Sequence, residues 1–67
     1  MGLWTRMKFD DYLTESPSED SQRIGKLYHT YSIQILEESG EYYKVFSPDK
    51  NCNGYVHKEN VIDNFTE

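Results

Sequence analysis

From Tyr31 onward the chain alternates between apolar and polar positions. Tyr31, Ile33 and Ile35 fall on one side and Ser32 and Gln34 on the other, the period of two that marks a half-buried strand. Glu37-Glu38-Ser39-Gly40 interrupts the run with turn-forming residues, and Tyr42-Tyr43-Lys44-Val45-Phe46 resumes it with aromatic and β-branched side chains. Two such runs joined by a short polar link containing glycine predict a β-hairpin. Pro48, Asp49, Asn51 and Asn53 predict a second turn, and Gly54-Tyr55-Val56-His57 a further strand. Upstream, Ile24 and Leu27 around Gly25 predict a short strand. Residues 10–22, rich in Asp, Glu and Ser with Pro17 near the middle, read as one long polar loop. Residues 59–62 predict one tight helical turn or a closing segment. A helix over residues 33–46 would carry Gly40 at its centre, at a cost of about 1 kcal/mol, and too many β-branched residues. The expectation is an all-β fold, a small five-stranded barrel with a long acidic first loop. It would span residues 9–62, between an N-terminal extension (1–8) and a C-terminal tail (63–67).

The order of these elements resembles a family. Ile24-Gly25-Lys26-Leu27, the β-branched run after Tyr31, Gly40-Glu41-Tyr42-Tyr43-Lys44-Val45 and Gly54-Tyr55-Val56 together look like a bacterial-type Src-homology-3-like (SH3-like) barrel. The resemblance covers nearly the whole chain, and the order and spacing of the motifs carry it. It implies a non-enzymatic interaction module, with the first loop and the aromatic surface beside it as ligand face. Members often sit in cell-wall enzymes and bind peptidoglycan, a role less expected here because residues 1–8 hold no apolar run long enough for a signal peptide. Departures are visible. Tyr42-Tyr43 stands where tryptophan is common, His57 where the peptide-binding eukaryotic members carry proline, and Asn60 where they carry tyrosine. These changes remove parts of the groove that grips polyproline helices.

Residues 49–60 also look like a calcium loop of the EF-hand type, with oxygen-bearing residues at loop positions one, three and five and glycine at six. The bidentate carboxylate required at position twelve is missing, because Asn60 supplies an amide. The same run serves equally as an Asx-rich turn.

Charge narrows the partners. The 67-residue chain carries 7 Lys and Arg against 12 Asp and Glu, a formal net charge of −5. Nonspecific attraction to nucleic acid or anionic membrane is therefore not expected. Cys52 is the one cysteine, which leaves no internal disulfide and no multi-cysteine zinc site. With no staple, signal peptide or membrane span, a cytoplasmic location is expected.

Catalytic patterns are lacking. His29 and His57 are the two histidines, and no nucleophile elbow, His pair or phosphate loop accompanies them. No cofactor is expected. The candidate site is a partner-binding face: Asp10, Asp11, Glu15, Glu19 and Asp20 on the first loop, with Tyr42 and Tyr55 as an aromatic floor. Those carboxylates call for a protein partner with a basic surface, whose arginines pair with them bidentately. An alternative function is a phage-type acidic inhibitor that mimics the charge of nucleic acid. An exposed strand edge or Leu3-Trp4 offers a route to a homodimer.

Overall fold

The computed structural model describes residues 3–62. Six strands make one antiparallel sheet: β1 (Leu3–Arg6), β2 (Asp11–Thr14), β3 (Arg23–Leu27), β4 (Ser32–Ser39), β5 (Tyr42–Ser47) and β6 (Cys52–His57). A 3₁₀ turn over Lys58–Asn60 follows. The spatial order is β1-β4-β5-β6-β2-β3, so the sheet is not closed and β1 and β3 are its edges. The all-β, SH3-like expectation stands, with six strands in place of five.

Strands β4, β5 and β6 form the meander that alternation predicted. Ile33 and Ile35 of β4, Val45 of β5 and Val56 of β6 face one core, joined by Leu13, Leu27, Met7 and Val61. Strand β4 continues through Glu37-Glu38-Ser39, which the composition reads as turn, because Glu37 pairs with Lys44 and Glu38 with Tyr43 across the hairpin. The turn itself is Gly40-Glu41, and Gly40 takes φ +61°, a region open to glycine without strain. A register shift between Ile35 and Glu37 breaks the alternation there and leaves Leu36 exposed.

Two segments depart from the sequence reading. The stretch 10–22 is not loop throughout: Asp11–Thr14 is β2, paired with β3, and Leu13 is fully buried. Leu3–Arg6, read as part of an extension, pairs along β4 from Leu3↔Ile35 to Arg6↔Ser32. Met7 is core, and its N–H donates to the Tyr31 carbonyl at 2.9 Å. The residues around it are fastened to the other end of the chain. Lys8 N–H donates to Asn60 O at 2.8 Å, Ile62 N–H to Arg6 O at 3.1 Å, and Thr5 Oγ1 to Ile62 O at 2.8 Å.

The region 49–60 is a hairpin turn, strand β6 and the 3₁₀ turn, with no flanking helix among the described residues. Buried Ser47 organises the turn, accepting the Lys50 N–H on Oγ at 3.3 Å and the Asn51 N–H on its carbonyl at 2.7 Å.

One contact sets how closely β2 lies on β6. A Cβ added to Gly54 would stand 2.5 Å from Leu13 Cγ and 2.9 Å from the Thr14 carbonyl oxygen. The one ladder pair between the strands, Thr14↔Tyr55, lies beside this approach. A Cβ on Gly25 would meet only the flexible end of Lys50, at 3.0 Å. Gly54→Ala is therefore expected to cost about 1–3 kcal/mol, through strain in a filled core. Gly25→Ala should cost less than about 1 kcal/mol, since Lys50 can move. Urea denaturation of both variants checks this; equal losses would contradict it.

Candidate functional site

The close packing of β2 on β6 brings together residues far apart in sequence. Asp11 opens β2 and His57 ends β6. The His57 backbone N–H donates to Asp11 Oδ2 at 2.9 Å, and its Nδ1 lies 3.0 Å from the same oxygen. The loop over residues 15–22 then folds back and places Glu19 Oε2 at 2.7 Å from His57 Nε2. The imidazole is thus held between carboxylates from two elements. Asp11 is almost enclosed, its side chain 10% exposed, whereas that of Glu19 is 78% exposed. The β5–β6 register sets Tyr42 opposite His57, and the two rings lie against each other, tilted by 36°, with centroids 4.5 Å apart.

Serines shape the turns inside the loop that carries Glu19, while the His57 contact fixes its crest against β6. Ser16 N–H donates to Ser21 Oγ at 2.8 Å, Asp20 N–H to Ser18 Oγ at 3.2 Å, and Glu15 N–H to Gln22 O at 3.0 Å. Thr14 Oγ1 donates to Ser16 O at 2.9 Å and lies 3.2 Å from Tyr55 O, tying the loop's start to β6. Ser and Thr side chains serve here as turn formers that replace ladder partners.

Electrostatics follow from the geometry. The hydrogen bond to Glu19 raises the His57 pKa above its ordinary 6.5; burial opposes this, while the Asp11 hydrogen bond and both carboxylate charges reinforce it. Glu19 is lowered from 4.5, chiefly by its hydrogen bond to His57. Tyr42 is raised, first by burial and then by the charge and nearby carboxylate of Glu19. Its hydroxyl oxygen is buried without a partner at full hydrogen-bonding geometry. A charged imidazole donates from both nitrogens, so both carboxylates are satisfied at once.

Beyond this cluster lies an open cleft of about 430 Å3, bordered by Glu19, Glu41 and Glu59 with Tyr42 and His57 between them. Among the described residues no lysine or arginine lines it. Glu41, Glu59 and His57 were not singled out from sequence. Their convergence needs the β5–β6 register and the 3₁₀ turn, and the sole linear hint was histidine at a position where proline is usual.

The expected site residues divide. Glu19 and Tyr42 border the cleft, and Asp11 lies beneath it as a clamp on His57. Glu15 and Asp20 are exposed on the same loop. Asp10 is elsewhere: its carboxylate accepts the His29 N–H at 2.8 Å and stands 3.3 Å from His29 Nδ1, and these contacts lower its pKa. Tyr55 is half-buried opposite Lys44 and does not border the cleft. Among the described residues no His, Cys, Asp and Glu cluster is arranged to hold a metal ion, and no helix is long and apolar enough to cross a membrane.

A family model described as bacterial SH3 domain matches residues 12–62, more than two thirds of the chain. No curated protein and no solved structure matches it at the significance required.

The His57 cluster makes stability depend on pH. The fold favours charged His57, so its contribution is complete below 6.5 and is lost as pH rises through the raised value. The urea midpoint should therefore fall as pH is raised from about 6 to about 9. Glu19→Gln should shrink that fall; equal slopes in the two proteins would contradict the assignment.

Proposed function

Since the chain belongs to the bacterial SH3 domain family, we propose that it is a non-enzymatic binding module whose acidic cleft receives a basic segment of a protein partner. Domains of this family act in general as binding modules. The observation that supports the finer reading is the composition of the cleft: Glu19, Glu41 and Glu59 line it with Tyr42 and His57, and among the described residues no lysine or arginine does. An arginine or lysine entering it would meet the exposed carboxylates of Glu41 and Glu59 and the one oxygen of Glu19 that His57 does not hold, beside the tilted Tyr42–His57 pair. Glu15 and Asp20 on the same loop would extend the attraction outward.

Charge mimicry of nucleic acid is the second reading, and the structure offers it less. A mimic needs a row of free carboxylates. Here Asp11 and Glu19 are engaged by His57, and Asp10 by His29.

A peptide of alternating lysine and glycine is a suitable probe, titrated calorimetrically at about 0.15 M salt, where exposed charges more than about 8 Å apart are screened. Glu41→Lys with Glu59→Lys, both on exposed side chains, should weaken binding by about tenfold or more while leaving the urea midpoint nearly unchanged. Equal affinity of the double variant would overturn the cleft as the site. A loss of about a thousandfold between 50 and 200 mM salt would favour charge mimicry instead.

A further inference from the structure

The opposite character appears on the β2–β3 hairpin. The Arg23 guanidinium lies 4.1 Å from the centroid of the Tyr12 ring. Lys26 Nζ stands between two rings, 5.8 Å from Tyr12 and 5.2 Å from Tyr28. All three ring-and-cation contacts are at the surface, with Tyr12 37% and Tyr28 45% exposed. The carboxylates nearest these cations are already engaged. Asp10, whose charge reaches Lys26, is bound to His29, and Glu19, which shares a small recess with Arg23, is bound to His57. Among the described residues neither Arg23 nor Lys26 has a carboxylate within ion-pairing distance.

A guanidinium stacked on an aromatic face keeps its N–H groups directed outward in the ring plane, in the fork that suits a carboxylate. The stacking also restricts a side chain that would otherwise lose rotamer freedom on binding. Strand β3 is moreover an edge, so its backbone groups on the side away from β2 have no strand partner among the described residues. Ile24 on the same strand is 40% exposed. An unpaired edge, held cations and exposed aromatic faces on a chain of net charge −5 make a local site of reversed sign.

We propose that the outer edge of β3, with Tyr12, Tyr28, Arg23 and Lys26, is a second binding surface, occupied by an acidic segment of a partner protein laid along β3 as an added strand. Backbone hydrogen bonds to the edge supply the register, and Arg23 and Lys26 select glutamate or aspartate side chains that point toward them. Charge complementarity chooses this occupant over a second copy of the same edge, which would bring like cations together. This surface adjoins the acidic cleft where Tyr12 and Arg23 share a recess with Glu19, Tyr42 and His57, but the β3 edge, Lys26 and Tyr28 do not line the cleft, and either site could fail without the other.

The test uses the full chain, labelled with ¹⁵N, and a synthetic peptide of four glutamate–threonine repeats. Expected are saturable amide shifts at residues 24–28 and at Tyr12, with the β1 edge and the cleft residues Glu41 and Glu59 unmoved. Arg23→Ala with Lys26→Ala should weaken binding by about tenfold or more, and Tyr12→Leu by a smaller factor. No shifts at about 1 mM peptide would overturn the proposal. So would equal binding by the double variant, or shifts centred on the cleft. If Arg23 and Lys26 merely guard the edge against self-pairing, the peptide will not bind and the double variant will associate with itself, which also overturns it. Tighter binding of a single-stranded oligonucleotide at the same amides would reassign the surface to nucleic acid and overturn the peptide reading.

Discussion

A neutral imidazole donates one hydrogen bond and accepts one; only the charged ring donates from both nitrogens. His57 faces a carboxylate at each nitrogen, Asp11 at 3.0 Å and Glu19 at 2.7 Å. The two carboxylates belong to different parts of the chain, one at the start of a strand and one on the crest of a loop. Protonated His57 therefore fastens the loop to the end of β6. Everything proposed for the acidic cleft depends on that attachment, because Glu19 would otherwise extend into solvent with the rest of residues 15–22. The interaction is partly exposed, so its worth lies in position more than in stability.

The attachment in turn depends on backbone packing. Asp11 can reach His57 only because β2 lies flush on β6, and that approach requires the absence of a side chain at Gly54. The hairpin register then delivers Tyr42 to the imidazole face and, through the following turn, Glu59 to the rim. Core, register and site are thus one arrangement. The same β2–β3 hairpin presents its cations on the side of Tyr12, so the molecule carries faces of opposite sign despite its overall acidity. Two carboxylates near those cations, Asp10 and Glu19, are engaged by His29 and His57.

Where side chains alternate, the sequence was readable. Ile33, Ile35, Val45 and Val56 were placed correctly because each strand has one buried and one wet face. Strand β2 was hidden because it is four residues long and sits between acidic residues and Ser-Pro. Leu13 is its one large core residue, too little for a period to register. Strand β1 was hidden for another reason: as an edge it buries no face, with Trp4 45% exposed, so its pattern has nothing to alternate about. The acidic residues of 15–20 could be named from composition and Tyr42 from the family resemblance, but not where the fold would place them. His57 was not legible, since its partner Asp11 lies 46 positions away and meets it only across a nonlocal strand pair.

The central claim is that charged His57 orders the loop into a binding face, and ¹⁵N relaxation of the amides of residues 15–22 tests it most directly. Near pH 6 those amides should be as rigid as strand backbone, with order parameters of about 0.85, and above the raised His57 pKa they should fall toward about 0.6. The amides of β4 and β5 should not change. A loop equally rigid, or equally mobile, on both sides of that titration would contradict the claim.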